Sequence, residues 1–228
     1  MNFQYPIINT IDHNNQRWYC VDESTIYPSI TTILGHTMES DKAASLEDWR
    51  NRIGHEAAEE ICRSSVDRGS AVHRLIELYL IDKNSPEFKE EFLRSEKNHA
   101  QMFNSVKTKL NRVDQVWGQE VALHSSTLGV AGRCDCIGVW EKIPSIIDFK
   151  TSRRVKTAAD IADYWLQIAF YARAHNEMFG TNITQGVVLM GVNEQPAMIF
   201  KKQLDQKVYS DLINRVNTFY RNENDKII

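Results

Sequence analysis

No apolar run in the 228 residues approaches the roughly twenty needed to cross a bilayer, so no membrane partner is expected. The opening stretch, MNFQYPIINTIDHNNQ, has no basic region followed by an apolar one. It also has no arginine-rich, acid-poor helix. A secretory leader and a mitochondrial presequence are therefore not expected, and the default location is cytoplasmic. Cysteine is scarce: Cys20, Cys62, Cys134 and Cys136 form no C-x-x-C pair and have no histidines at zinc-finger spacing. That argues against structural zinc and an iron–sulfur cluster, and leaves reduced, mostly buried thiols. Positive charge is not in excess either, since 27 Lys and Arg face 30 Asp and Glu, a net −3. A surface that grips nucleic acid all round is excluded, so any such contact must be a local patch. Internal repeats and low-complexity segments are absent too.

What is present is an ordinary globular balance, 42% hydrophobic and 25% charged, enough for one sizeable core. Residues 1–35 read as a β-rich extension, with RWYCV and IYPSITTIL on either side of a polar turn, and 36–228 as the main domain. Residues 40–66 carry Trp49, Ile53, Ala57 and Ile61 at helical spacing, and Asp67-Arg68-Gly69-Ser70 is expected to interrupt that helix. AVHRLIELYLI follows as a second helix. A third starts at Ser85-Pro86, a side-chain cap followed by proline at the first helical position. It carries Phe88, Phe92, Met102, Phe103, Val106 and Leu110. Strands are then expected over 117–125, 129–139 and 145–150. A helix over 158–179, strands over 185–192 and 197–204, and a closing helix over 205–222 complete the chain. This order describes an α/β fold, a mixed central sheet flanked by helices.

Five short patterns carry chemistry. In Ile146-Ile147-Asp148-Phe149-Lys150, period 2 places Asp148 and Lys150 on one strand face and Phe149 on the other. Alone, that reads as an exposed pair at a strand end. Asp135 lies in the preceding alternating segment, and a hairpin through Gly138, Lys142 and Pro144 would set Asp135 against Asp148. Like charges so placed repel unless a cation sits between them. Carboxylate oxygens, with the Phe149 carbonyl, suit Mg²⁺ or Mn²⁺. His73 and Glu77 share a helical face one turn beyond Gly69, which fits a ligand or a satisfied core histidine. Glu120 sits in the strand preceding Asp135, where an edge-strand surface acid is one reading. Tyr164, Gln167, Tyr171 and His175 form a stripe opposite Trp165, Ile168, Ala169 and Ala172. Such a stripe suits a half-buried face or contacts to phosphates and unpaired bases. Lys150, Arg153, Arg154 and Lys156 in KTSRRVK form a basic run directly after the Asp148 strand, read either as a solvated loop or as a backbone-binding patch.

Taken in order, Gly69…His73…Glu77, Gly132-Arg133-Cys134-Asp135, IIDFK and Gln167…Tyr171 resemble the RecB-like branch of the PD-(D/E)XK nucleases. The Pro28–Leu34 segment and RGSAVH further resemble mitochondrial and phage exonucleases of that branch. The resemblance implies a restriction-endonuclease-like core and no iron–sulfur variant. It also implies a stand-alone module, in a bacterial or phage-infected cell, since no helicase-like region accompanies these motifs. It further implies metal binding by His73, Asp135, Asp148 and the Phe149 carbonyl, with Lys150 positioning or deprotonating the attacking water. Glu120 would support the centre, and Gln167 and Tyr171 would hold DNA. Arg68, Arg133, Ser152, Arg153 and Arg154 would add nucleic-acid contacts. The expected activity is Mg²⁺- or Mn²⁺-dependent exonucleolysis from single-stranded DNA ends, by a monomer. A structure-selective endonuclease and a non-catalytic DNA-binding subunit are the alternatives.

Overall fold

The computed structural model describes residues 3–13 and 16–224. Three short strands open it: β1 (Asn9–His13), β2 (Gln16–Cys20) and β3 (Ile26–Pro28), an antiparallel sheet in that order. Instead of continuing as strand, the chain enters α1 (Ile30–His36). Ser29 caps it, its hydroxyl accepting from the Thr32 N–H at 2.9 Å. Ile30, Ile33 and Leu34 then recur at helical spacing and are buried in the main core, a placement an extended segment could not achieve.

Four helices follow: α2 (Ser40–Ile53), α3 (His55–Asp82), α4 (Pro86–Arg94) and α5 (Lys97–Leu110). The break expected at Asp67–Ser70 is instead at Gly54, whose φ of +89° is a conformation glycine adopts without cost. Gly69 stays helical, at about 1 kcal/mol relative to alanine, where α3 passes close to the Thr151 hydroxyl. The expected third helix is divided at Ser95, which has extended backbone and a hydroxyl bonded to the Glu91 carbonyl.

The main sheet contains β4 (Val113–Ser125), β5 (Val130–Trp140), β6 (Ile143–Ser152), β7 (Gln185–Val192) and β8 (Met198–Gln203), in sequence order. All neighbours are antiparallel except β6 and β7, which are parallel and joined through α6 (Ala162–Phe179). The last helix is α7 (Gln206–Asn224). One sheet face packs on α1, α6 and α7 through Leu123, Ile137, Ile146 and Val188. The other packs on α3, α4 and α5 through Trp140, Ile147, Phe149 and Leu189. Covered on both sides, β7 is apolar from Gly186 to Val192 rather than alternating. The fold is thus the mixed sheet flanked by helices that the sequence predicts.

The β5–β6 hairpin is tighter than expected. Trp140 pairs with Ile143, leaving Glu141 and Lys142 as a two-residue loop, both at positive φ. That is the backbone of a type I′ turn, whose twist suits antiparallel strands. Gly138 lies inside β5 rather than in the turn, where a Cβ would collide with the Gln115 carbonyl of β4. The turn sets the register, and the register sets the site.

Candidate active site

The β5–β6 ladder runs from the turn to Cys136 opposite Ile147 and ends there. One step further, the same register places Asp135 opposite Asp148. The backbones no longer bond to each other at that point. The Asp135 carboxylate instead accepts the Phe149 N–H through Oδ2 at 2.8 Å. The strands diverge at the two acids, and α3 fills the opening with His73. Its Nε2 lies 2.8 Å from the Phe149 carbonyl oxygen. A carbonyl only accepts, so Nε2 carries a proton, and Nδ1 is the ring nitrogen left for other partners. That nitrogen faces Asp135 Oδ1 at 3.8 Å and Glu120 Oε1 at 3.9 Å.

Glu120 reaches this position by distorting β4. Its φ is +51°, unusual for a non-glycine residue within a strand. Strain of this kind costs on the order of 1 kcal/mol or more and persists where the surroundings enforce it. Here it aims a carboxylate at His73 and Asp135. Single ligand atoms from His73, Glu120 and Asp135 all lie within 4.8 Å of one another.

Asp148 stands apart from that trio. It is 1% exposed, and its Oδ1 accepts from Lys150 Nζ at 2.6 Å. Its Oδ2 is buried without a hydrogen-bond partner among the described residues. Burial pushes its pKa up to about 6, the Lys150 ammonium opposes that, and the Asp135 charge adds to it. Burial alone would lower the Lys150 pKa, but Asp148 and Asp135 together raise it. Lys150 is consequently a firm ammonium here, not a depressed base. It also lies 5.0 Å from the Tyr164 ring centroid. For His73, burial favours the neutral ring, and the surrounding carboxylates outweigh it and raise its pKa.

These donors fit a hard divalent cation. His73 Nδ1 and two carboxylates converge where positive charge is favoured, and the buried Asp148 Oδ2 lacks a partner among the described residues. The Phe149 carbonyl, expected as a ligand, accepts from His73 Nε2 with one of its two lone pairs.

The remaining expected residues divide. Ser70, His73, Arg74, Glu77, Glu120 and Arg133 line one cavity of about 380 Å³ beside the acids. Glu77 is held by Arg74 at 2.9 Å rather than joining the trio. Gln167 is half-buried and donates to the Tyr171 hydroxyl at 3.3 Å. Tyr171 itself is 2% exposed, its ring edge packed where Gly132 leaves no Cβ. It therefore cannot stack on a base, but it can orient Gln167. Ser152 is turned inward, its hydroxyl donating to the Arg154 carbonyl at 2.6 Å, so it offers nothing outward. In the basic run, Arg154 is paired with Asp160 at 3.1 Å, whereas Arg153, among the described residues, hydrogen-bonds only to the Ser64 hydroxyl, at 3.1 Å. Tyr164, which the sequence places in the same helix stripe as Gln167 and Tyr171 without a role of its own, lies against Lys150.

Residues 48–224 match the family profile described as the PD-(D/E)XK nuclease superfamily. The mitochondrial genome maintenance exonuclease 1 of Xenopus tropicalis is 28% identical over 179 residues, 73% of this chain and 49% of that protein. The human protein of that name is 24% identical over 179 residues, 75% of this chain and 51% of its own length. The mouse protein is 26% identical over 176 residues, 73% and 50%. The chain spans about half the length of these relatives. Among the described residues, no helix is long and apolar enough to cross a membrane.

Proposed function

The chain belongs to the PD-(D/E)XK nuclease superfamily, and from that premise we propose that it is a divalent-metal-dependent exonuclease attacking DNA from single-stranded ends. Nucleases of this superfamily generally use divalent metals, and the exonuclease names of its relatives support the end-directed reading. One observation carries the metal assignment: ligand atoms of His73, Glu120 and Asp135 converge within 4.8 Å of one another, beside a buried Asp148 whose Oδ2 has no partner among the described residues and whose Oδ1 holds the Lys150 ammonium.

His73, Glu120, Asp135 and Asp148 would hold the cation, and Mg²⁺ and Mn²⁺ both suit these donors. When bound, it would acidify a water and neutralise phosphoryl oxygens. Asp135 holds the Phe149 backbone and so fixes the start of the Asp148–Lys150 strand end. Lys150, kept protonated by Asp148, places a fixed positive charge where negative charge builds on the phosphoryl group. Tyr164 covers the Lys150 ammonium and restricts its motion. Gln167, oriented by Tyr171, offers its amide to the strand, and Arg133 offers a guanidinium from the cavity on the other side. Such contacts bind the backbone without reading sequence. A monomer acting in the cytoplasm completes the proposal.

The decisive assay is digestion of end-labelled linear DNA, single- and double-stranded, beside circular single-stranded DNA. It is run with Mg²⁺, with Mn²⁺ and with chelator, for the wild type and Lys150→Ala. Metal-dependent release from linear single strands, lost in the variant, is expected. Cutting of the circle would establish the endonuclease instead, and equal activity of both proteins would overturn the site.

A further inference from the structure

Arg68 is 8% exposed, yet no carboxylate pairs with it among the described residues. Its Nε donates to the Thr151 hydroxyl at 3.3 Å, one residue beyond Lys150. Its charged neighbour is a second cation, Arg153, which depresses its pKa after burial does. Arg153 in turn reaches back to α3 and donates to the Ser64 hydroxyl, and among the described residues it has no acid partner either. Buried charges in proteins are normally paired, and removing an arginine from water beside another arginine is costly. The neighbouring Arg154 shows the ordinary arrangement, since Asp160 neutralises it. Two guanidinium groups and two hydroxyls therefore converge with no anion supplied by the described protein.

We propose that Arg68 and Arg153, with Thr151 and Ser64, form a seat for a phosphate group of the substrate strand next to the scissile one. The seat rests on the nuclease reading and makes it more specific. Arg68 lies five residues before His73 on α3, about 7.5 Å along the helix axis, so a strand crossing the acids reaches it. Guanidinium groups match phosphate oxygens with paired hydrogen bonds, which lysine cannot reproduce. The phosphate is either an internal diester or a terminal monoester, and the doubled positive charge accommodates both.

The test is fluorescence anisotropy with internally labelled single-stranded oligonucleotides carrying a 5′-phosphate, a 3′-phosphate or hydroxyls at both ends. Measurements run in EDTA over a range of salt, so cleavage does not interfere. Arg68→Gln and Arg153→Gln are each expected to weaken binding about tenfold and to flatten the salt dependence by about one phosphate contact. Arg68→Lys should recover part of the loss, and Arg154→Gln should change little. A loss confined to one phosphorylated end identifies a terminal monoester, and a loss with every oligonucleotide identifies an internal diester. Arg153→Gln should leave the melting temperature unchanged or raise it, because it relieves Arg68. Unchanged affinity and salt slope in both arginine variants, or a lower melting temperature with unchanged binding, overturns the seat even if digestion is normal. Arginine-dependent binding in a protein that never cleaves would sink the nuclease reading alone. A wild type that binds none of the oligonucleotides overturns both.

Discussion

Asp135 holds the backbone N–H of Phe149 at 2.8 Å, one residue past the last β5–β6 pair. The carboxylate proposed to hold the metal thus also acts as the final bond of a sheet. The two roles can be separated. Asp135→Asn keeps an acceptor oxygen and should cost under about 1 kcal/mol of stability, while Asp135→Ala leaves a buried N–H unpaired and should cost roughly 1–3 kcal/mol. Both should abolish cleavage. Urea unfolding and digestion of the two variants check this, and equal stabilities would mean the bond is dispensable.

Asp148 is a buried carboxylate with one unmet oxygen, an arrangement that costs stability without a cation. Asp148→Asn should therefore melt at or above the wild-type temperature in chelator, with activity lost. Added Mg²⁺ or Mn²⁺ should raise the wild-type melting temperature, since a ligand specific to the folded state stabilises it, and should raise the variant less. An equal metal-induced shift in both proteins would remove Asp148 from the ligand set.

Glu120 has a backbone that glycine would adopt without strain. Glu120→Gly should change stability by less than about 1 kcal/mol in either direction, while Glu120→Val should cost more than Glu120→Gly. Cleavage should fall in both, because the carboxylate is gone. Denaturant titration with a digestion assay measures the two effects, and a Glu120→Gly variant that cleaves normally would release this residue from the site.

His175 is fully buried, bonded to the Tyr5 hydroxyl at 3.1 Å and to Thr181 at 2.8 Å, and burial lowers its pKa to about 4. The ordinary histidine value is about 6.5. The unfolded chain therefore takes up the proton first as pH falls. The stability that the neutral ring preserves is complete above about pH 6.5. It is lost progressively down to about pH 4, by on the order of 3 kcal/mol in total. Urea unfolding at several pH values should show a shallower slope across that window for His175→Gln. Parallel profiles would show that His175 does not govern acid stability.

Much of this protein was legible as periodicity. Alternation in IIDFK placed Asp148 and Lys150 on one side and Phe149 on the other, and the structure agrees. The apolar positions of α5 and α6 were legible for the same reason, because a face repeats along the chain. Helix ends were harder. Gly54 and Gly69 look alike in sequence, but only Gly54 has positive φ, while Gly69 stays helical where α3 crosses β6. Ser29-Ile30-Thr31-Thr32 is β-branched and strand-like. It became a helix because a serine cap and a core vacancy at Ile30, Ile33 and Leu34 outweighed propensity.

The linear chain by itself determined which residue types are available and which face of an element each occupies, since those follow from backbone geometry repeated every 2.0 or about 3.6 residues. Partnership was decided only when the elements packed. Folding made Arg154 a paired surface charge and Arg68 a buried, acid-free one, enclosed Tyr171 and Ser152, and bent Glu120 toward His73. Arg68 meets Thr151 across 83 residues of chain, and Glu120 and Tyr171 likewise meet partners on other elements, so local spacing does not encode those outcomes.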